Sequence, residues 1–137
     1  MRNLLVAGAT GKQGQALIRA LLLPTANPEQ DWHIYALTRA ASSPAAKRLA
    51  EKYSPNLTVV EGNLENRESI GKIFEDLKKD GGIWGVFCVL AFPGIGVAAS
   101  GEELQGKVFY ILLLLRWFPH PFLVGFLCST AVLRSLR

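Results

Sequence analysis

Cysteine, histidine and long apolar runs are all scarce in this chain of 137 residues, and each shortage excludes something. Cys88 and Cys128, its two cysteines, form no Cys-x-x-Cys and have no histidine nearby. That argues against a disulfide framework and a zinc site, and for a reducing compartment. The longest apolar run, Val108 to Leu115, is cut by Arg116 and then by Pro119-His120-Pro121, short of the ~20 residues that a membrane span requires. Leu4 to Gly8 is too short for a secretory core and has no cleavage pattern, so no targeting segment is expected. Periodic glycine and heptads are also missing, which excludes collagen and coiled coil. What the chain does have is 50% hydrophobic residues against 19% charged, enough for one buried core and too apolar for disorder.

Basic charge is in excess, but unevenly placed. Residues 1–107 hold 12 Lys+Arg and all 11 Asp+Glu, whereas residues 108–137 hold Arg116, Arg134 and Arg137 and no acid. The net charge of +4 is therefore mostly a property of the tail, and direct nucleic-acid binding by the folded part is not expected. The same cut separates two kinds of sequence. Beyond residue 107, 20 of 30 residues are apolar and 6 of the chain's 13 aromatics appear.

Before the cut, strand-length apolar runs alternate with helical patterns. Leu4–Ala7, His33–Thr38, Leu57–Val60 and Ile83–Leu90 read as strands. Between them, Gln13–Leu23 has helical spacing and meets Pro24, and Ser43-Pro44 supplies an N-cap with proline at the first helical position. Arg67–Lys79 sets Ile70, Ile73, Phe74 and Leu77 on one stripe. Three βα units followed by a strand imply right-handed crossovers in a parallel sheet of order 3-2-1-4, a doubly wound α/β fold. Ser100-Gly101-Glu102-Glu103 has capping-box spacing for a further helix.

Gly8-Ala9-Thr10-Gly11-Lys12-Gln13-Gly14 lies between the first strand and the first helix. In that position backbone N–H groups and the positive end of a helix can meet a pyrophosphate. By position, Gly8 allows the tight turn, Gly11 the approach of phosphates, and Gly14 the packing of helix on strand. The spacing is G-x-x-G-x-x-G rather than G-x-G-x-x-G. A fold of this kind that selects NAD usually ends its second strand in an acid that binds the ribose 2′-OH. Here the strand ends in Thr38-Arg39, and Glu29 and Asp31 precede it. Arg39, helped by Lys12, suits a 2′-phosphate, which favours NADP(H) with NAD(H) as the alternative. The loop Ala91-Phe92-Pro93-Gly94-Ile95-Gly96 faces the same switch point, where Phe92 can contact cofactor or simply pack.

Leu4 to Gly14, Thr38-Arg39, Glu61-Gly62-Asn63-Leu64, Gly85-Val86-Phe87 and Glu103-Leu104-Gln105-Gly106-Lys107 together resemble the NmrA-like family, atypical relatives of the short-chain dehydrogenases. The resemblance implies a Rossmann-like NAD(P)-binding part over residues 1–107, followed by a divergent hydrophobic tail, 108–137. It places Gly8, Thr10, Gly11, Lys12, Gln13 and Gly14 around the pyrophosphate, Arg39 at the adenosine ribose, and Asn63 and Leu64 beside the adenine. The family usually has Asp where this chain has Asn63, so the charge at that contact is lost. Members are roughly twice as long, which implies a sheet truncated after about four strands and most of a substrate pocket missing. The change after Lys107 suggests an altered end, such as a frameshifted, intron-derived or misassembled reading frame. Phe122–Cys128 can form a substitute fifth strand, placing Ser129-Thr130 near the cleft.

Two classes of function stay open. One is a non-catalytic module that binds NADP(H) and signals redox state to a regulatory protein partner, as the resemblance implies. The other is a fragment of an NADPH-dependent reductase of quinones or isoflavone-like substrates; a third reading is a truncated product without stable function. A short-chain dehydrogenase needs Tyr-x-x-x-Lys, so that the lysine lowers the tyrosine pKa. The residues four after Tyr35, Tyr53 and Tyr110 are Arg39, Leu57 and Leu114. No dyad exists, so no catalytic residue is assigned, and no metal site is expected. The expected setting is the cytoplasm, or also the nucleus, with self-association through an open sheet edge.

Overall fold

Six strands and three helices are described in the computed structural model, which covers residues 1–23, 31–89, 123–128 and 131–132. In chain order they are β1 (Arg2–Ala7), α1 (Lys12–Leu22), β2 (Trp32–Thr38), α2 (Pro44–Tyr53), β3 (Leu57–Glu61), α3 (Arg67–Lys79), β4 (Gly85–Val89), β5 (Leu123–Cys128) and β6 (Ala131–Val132). The sheet order is β3-β2-β1-β4-β5-β6. The first four strands are mutually parallel, with Leu5 level with Tyr35 on one side and Val86 on the other. This is the doubly wound order that the strand and helix alternation predicts. The sheet then runs further: β5 joins β4 in parallel, with Gly85 level with Leu123, and β6 turns back antiparallel on β5. The fifth strand, Leu123–Cys128, thus falls within the apolar segment 122–128, while 91–96, 100–103, 122 and 129–130 lie outside the described residues.

Alternation along the strands decides which helix covers which face. Odd-numbered residues of β1 and β2, namely Leu5, Ala7, Tyr35 and Leu37, join Val86 and Cys88 of β4 beneath Ile70, Ile73, Phe74 and Leu77 of α3. Even-numbered residues, Leu4, Val6, Ile34 and Ala36, pack with Ile18 of α1 and Leu49 of α2 on the other face. Leu5, Val6 and Ile34 are completely buried, each contributing about 1.5–3 kcal/mol relative to exposure. Buried in the same way, the Cys88 thiol is pushed up to about 12 and stays protonated at neutral pH.

The helix starts differ. Ser43 Oγ accepts the Ala46 N–H at 3.3 Å and Pro44 follows it, as the Ser-Pro pair predicts. At α3, Asn66 Oδ1 accepts N–H groups from Glu68 and Ser69 at 3.0 and 3.1 Å, with Glu68 in the first turn and Lys78 and Lys79 in the last. Both ends of α3 complement its dipole. Helix α1 begins at Gly11 with no side-chain cap and no acid in its first turn.

Strand β1 starts two residues earlier than the apolar pattern predicts, because Arg2 and Asn3 find partners at the lower end of the sheet. Asn3 Nδ2 donates to the carbonyls of Asp80 and Gly82 at 3.2 and 2.8 Å, and the Trp84 N–H donates to the Asn3 carbonyl at 2.7 Å. The Arg2 guanidinium lies 5.8 Å from the Trp32 ring and 5.2 Å from the Trp84 ring, and the two rings meet edge to face at 5.1 Å.

Candidate functional site

At the opposite, C-terminal end of the strands, the turn from β1 into α1 rises from Gly8. Its φ of +77° belongs to the left-handed region, and a Cβ there would stand 2.9 Å from the Val89 carbonyl oxygen on β4. Only glycine fits both demands. The Gly11 N–H closes the turn onto the Gly8 carbonyl at 3.0 Å, and Gln15 Nε2 braces it by donating to the Thr10 carbonyl at 2.7 Å. Gly14 is buried against the same turn, where a Cβ would fall 2.3 Å from the Gly8 oxygen and 2.8 Å from Ala9 Cα. These geometries match the turn and packing roles expected of Gly8 and Gly14.

A cavity of about 280 Å³ opens beside the turn, lined by Gly8, Thr10, Leu37, Thr38, Arg39, Ala40, Gly62, Asn63, Leu64 and Val89. Five of the residues singled out from the sequence therefore share one concave surface: Gly8, Thr10, Arg39, Asn63 and Leu64. Gly11, Lys12 and Gln13 are exposed at the start of α1, outside that lining. Phe92 lies outside the described residues. The cavity sits over the ends of β1, β2, β3 and β4, the place where doubly wound sheets take ligands.

The charges here are unbalanced. Arg39 and Lys12 are exposed, and neither is in an ion pair with an acid among the described residues. A lysine at the first position of an uncapped helix runs against the helix dipole, which favours an anion there. Glu61 is the acid at the end of β3; its Oε2 accepts the Ala41 N–H at 2.9 Å. On the far wall, Asn63 Oδ1 accepts the Glu65 N–H at 3.0 Å and the Asn63 N–H donates to Ser69 Oγ at 3.2 Å. Asn63 thus shapes the turn, and its carboxamide oxygen is already engaged. Sequence reading missed Glu61, Asn66 and Ser69 in these roles. An Asn two positions before Glu68 was a legible cap signal for α3, whereas nothing local marks the bond from Glu61 to Ala41.

Neither tyrosine of residues 1–89 lines the cavity. Tyr35 sits in the core under α3, where burial and then the charge of Asp80 raise its pKa, opposite to what proton transfer at neutral pH needs. Among the described residues there is no cluster of three metal-ligating side chains, and no helix long and apolar enough to cross a membrane.

Solved structures share this fold. A carbonyl reductase from Pseudomonas aeruginosa PAO1 is 23% identical with a TM-score of 0.58, the match covering 92% of this chain and 61% of that one. A short-chain dehydrogenase/reductase from Saccharomyces cerevisiae is 15% identical (TM-score 0.61), over 83% of this chain and 45% of that one. A ketoreductase from the first module of phoslactomycin biosynthesis in Streptomyces sp. HK803 is 18% identical (TM-score 0.63), over 82% and 29%. The chain thus spans less than two thirds of the length of each. No curated protein matches it in sequence. The family model of the NmrA-like family matches residues 1–107, and on that match the chain, with its glycine turn and its doubly wound sheet, belongs to the NmrA-like family.

Proposed function

We infer that the chain binds a nicotinamide dinucleotide along the ends of β1, β2 and β3, prefers NADP(H), and serves as a non-catalytic module that reports the state of that pool to a regulatory protein partner. One observation carries the binding reading. The start of α1 is built from glycine and lysine with no cap or acid, while α2 and α3 satisfy their own first turns. A pyrophosphate supplies the missing negative charge. Gly8, Thr10, Gly11, Lys12, Gln13 and Gly14 are assigned to that group, Arg39 to the 2′-phosphate, and Asn63 and Leu64 to the adenine end.

The non-catalytic half rests on chemistry that the chain does not contain. No Tyr-x-x-x-Lys occurs in it, and Tyr35 is held in the core with a raised pKa. A domain that binds without turnover follows the coenzyme ratio when it holds the oxidised and reduced forms with different affinity, which suits a sensor in the cytoplasm or nucleus. The competing reading is a fragment of an NADPH-dependent reductase.

Titration of NADPH and NADH onto the chain at fixed salt tests the preference. NADPH should bind tighter, and Arg39→Ala should lose that advantage while keeping NADH affinity. Equal affinities for the two coenzymes would sink the NADP(H) assignment. Hydride transfer to a quinone panel that vanishes in Gly11→Val would replace the sensor reading with the reductase one.

A further inference from the structure

Glu61 and Arg39 stand at the ends of neighbouring strands, Glu61 being level with Thr38 in the pairing of β2 and β3. A carboxylate and a guanidinium so placed would ordinarily pair, and a paired Arg39 would be lost to a ligand. No such pair forms. Glu61 Oε2 instead accepts the Ala41 N–H at 2.9 Å, across 20 positions of sequence. Within the loop the Ala40 N–H makes a long bond to Thr38 Oγ1 at 3.4 Å, and backbone groups add two more: the Gly62 N–H donates to the Thr38 carbonyl at 2.9 Å and the Ser43 N–H to the Ala40 carbonyl at 3.1 Å. The Glu61 bond is the side-chain bond that ties the loop to β3. Thr38, Arg39 and Ala40 line the cavity, whereas Glu61 does not.

We propose that Glu61 is a positioning residue for coenzyme choice: its carboxylate pins the loop after β2 through the Ala41 N–H and so presents Arg39 to the 2′-phosphate. The proposal rests on the coenzyme reading above. Its physical content is that the acid acts through a hydrogen bond and not through its charge. A charge role would have the opposite sign, because an anion beside a phosphate site repels the phosphate. Glutamine separates the two, since its amide oxygen still accepts from Ala41 while the charge is gone.

The test is fluorescence titration of NADPH and NADH onto the full chain as wild type, Glu61→Ala, Glu61→Gln, Arg39→Ala and the Arg39→Ala/Glu61→Ala double variant. Glu61→Ala should weaken NADPH about tenfold and leave NADH unchanged. Glu61→Gln should bind NADPH as well as wild type or better, and Glu61→Ala should add no selective loss in the Arg39→Ala background. The role of Glu61 is overturned by equal losses for both coenzymes, by glutamine behaving like alanine, or by tighter NADPH binding in Glu61→Ala. Failure of the coenzyme reading looks different. It is marked by no binding in wild type, or by an Arg39→Ala variant with an unchanged coenzyme ratio, and either result takes this proposal down too. An Arg39→Ala variant that loses selectivity beside a silent Glu61→Ala removes only the proposal about Glu61.

Discussion

At the N-terminal ends of the strands, side chains close the sheet: Asn3 reaches two carbonyls after α3, and Arg2 lies over Trp32 and Trp84. At the C-terminal ends of the same strands, glycine stands at 8 and 62, the helix start is uncapped, and two cations are unpaired with acids among the described residues. The first end ties the Asn3 amide nitrogen and the Arg2 guanidinium to its own residues, leaving only Asn3 Oδ1 and Trp32 Nε1 buried without a hydrogen-bond partner among the described residues; the second leaves the start of α1 open. The difference teaches where substitutions should cost stability and where they should cost binding.

Gly14→Ala should have the largest effect, because it breaks the separation by acting on both. Its Cβ would fall 2.3 Å from the Gly8 oxygen, so α1 must move off the turn, at about 3 kcal/mol by urea unfolding and with loss of NADPH binding. Asn3→Ala sharpens the contrast. It removes two hydrogen bonds at the closed end, costing about 2 kcal/mol, while NADPH affinity should stay unchanged; a weakened affinity would mean that the ends are coupled. Asn66→Ala removes the cap of α3 for about 1 kcal/mol, read in the same unfolding experiment. The smallest effect has the opposite sign. A Cβ on Gly71, inside α3, meets nothing within 4 Å, so Gly71→Ala should stabilise by about 0.5 kcal/mol.

Much of the sheet was legible because its causes are local. The stripe Ile70, Ile73, Phe74 and Leu77 sits under α3 as its spacing predicts, and Ser43-Pro44 opens α2. The glycine turn was legible for the same reason, since Gly8 and Gly14 answer to neighbours a few residues away or to the adjoining strand. What escaped depends on distant partners. Asn3 bonds to residues 77 and 79 positions later, the Trp32 and Trp84 rings meet only after folding, and Glu61 reaches Ala41 across a strand pair. No periodicity encodes such contacts. Arg39 and Asn63 were legible as candidates, but their geometry was not: Asn63 spends its carboxamide oxygen on its own turn.

The edge-to-face pair of Trp32 and Trp84 has an optical consequence. Two indoles in fixed contact, with a guanidinium over both, form a coupled chromophore at the closed end of the sheet. The glycine turn lies one strand length away, about 20 Å for six residues. Indole emission overlaps the absorption of reduced nicotinamide, so a reduced coenzyme at the open end would quench this pair by energy transfer without touching it. The sequence has one further tryptophan, Trp117; with it replaced, the chain carries its own donor for a distance measurement, and the quenching of Trp32 and Trp84 becomes a ruler laid along β1.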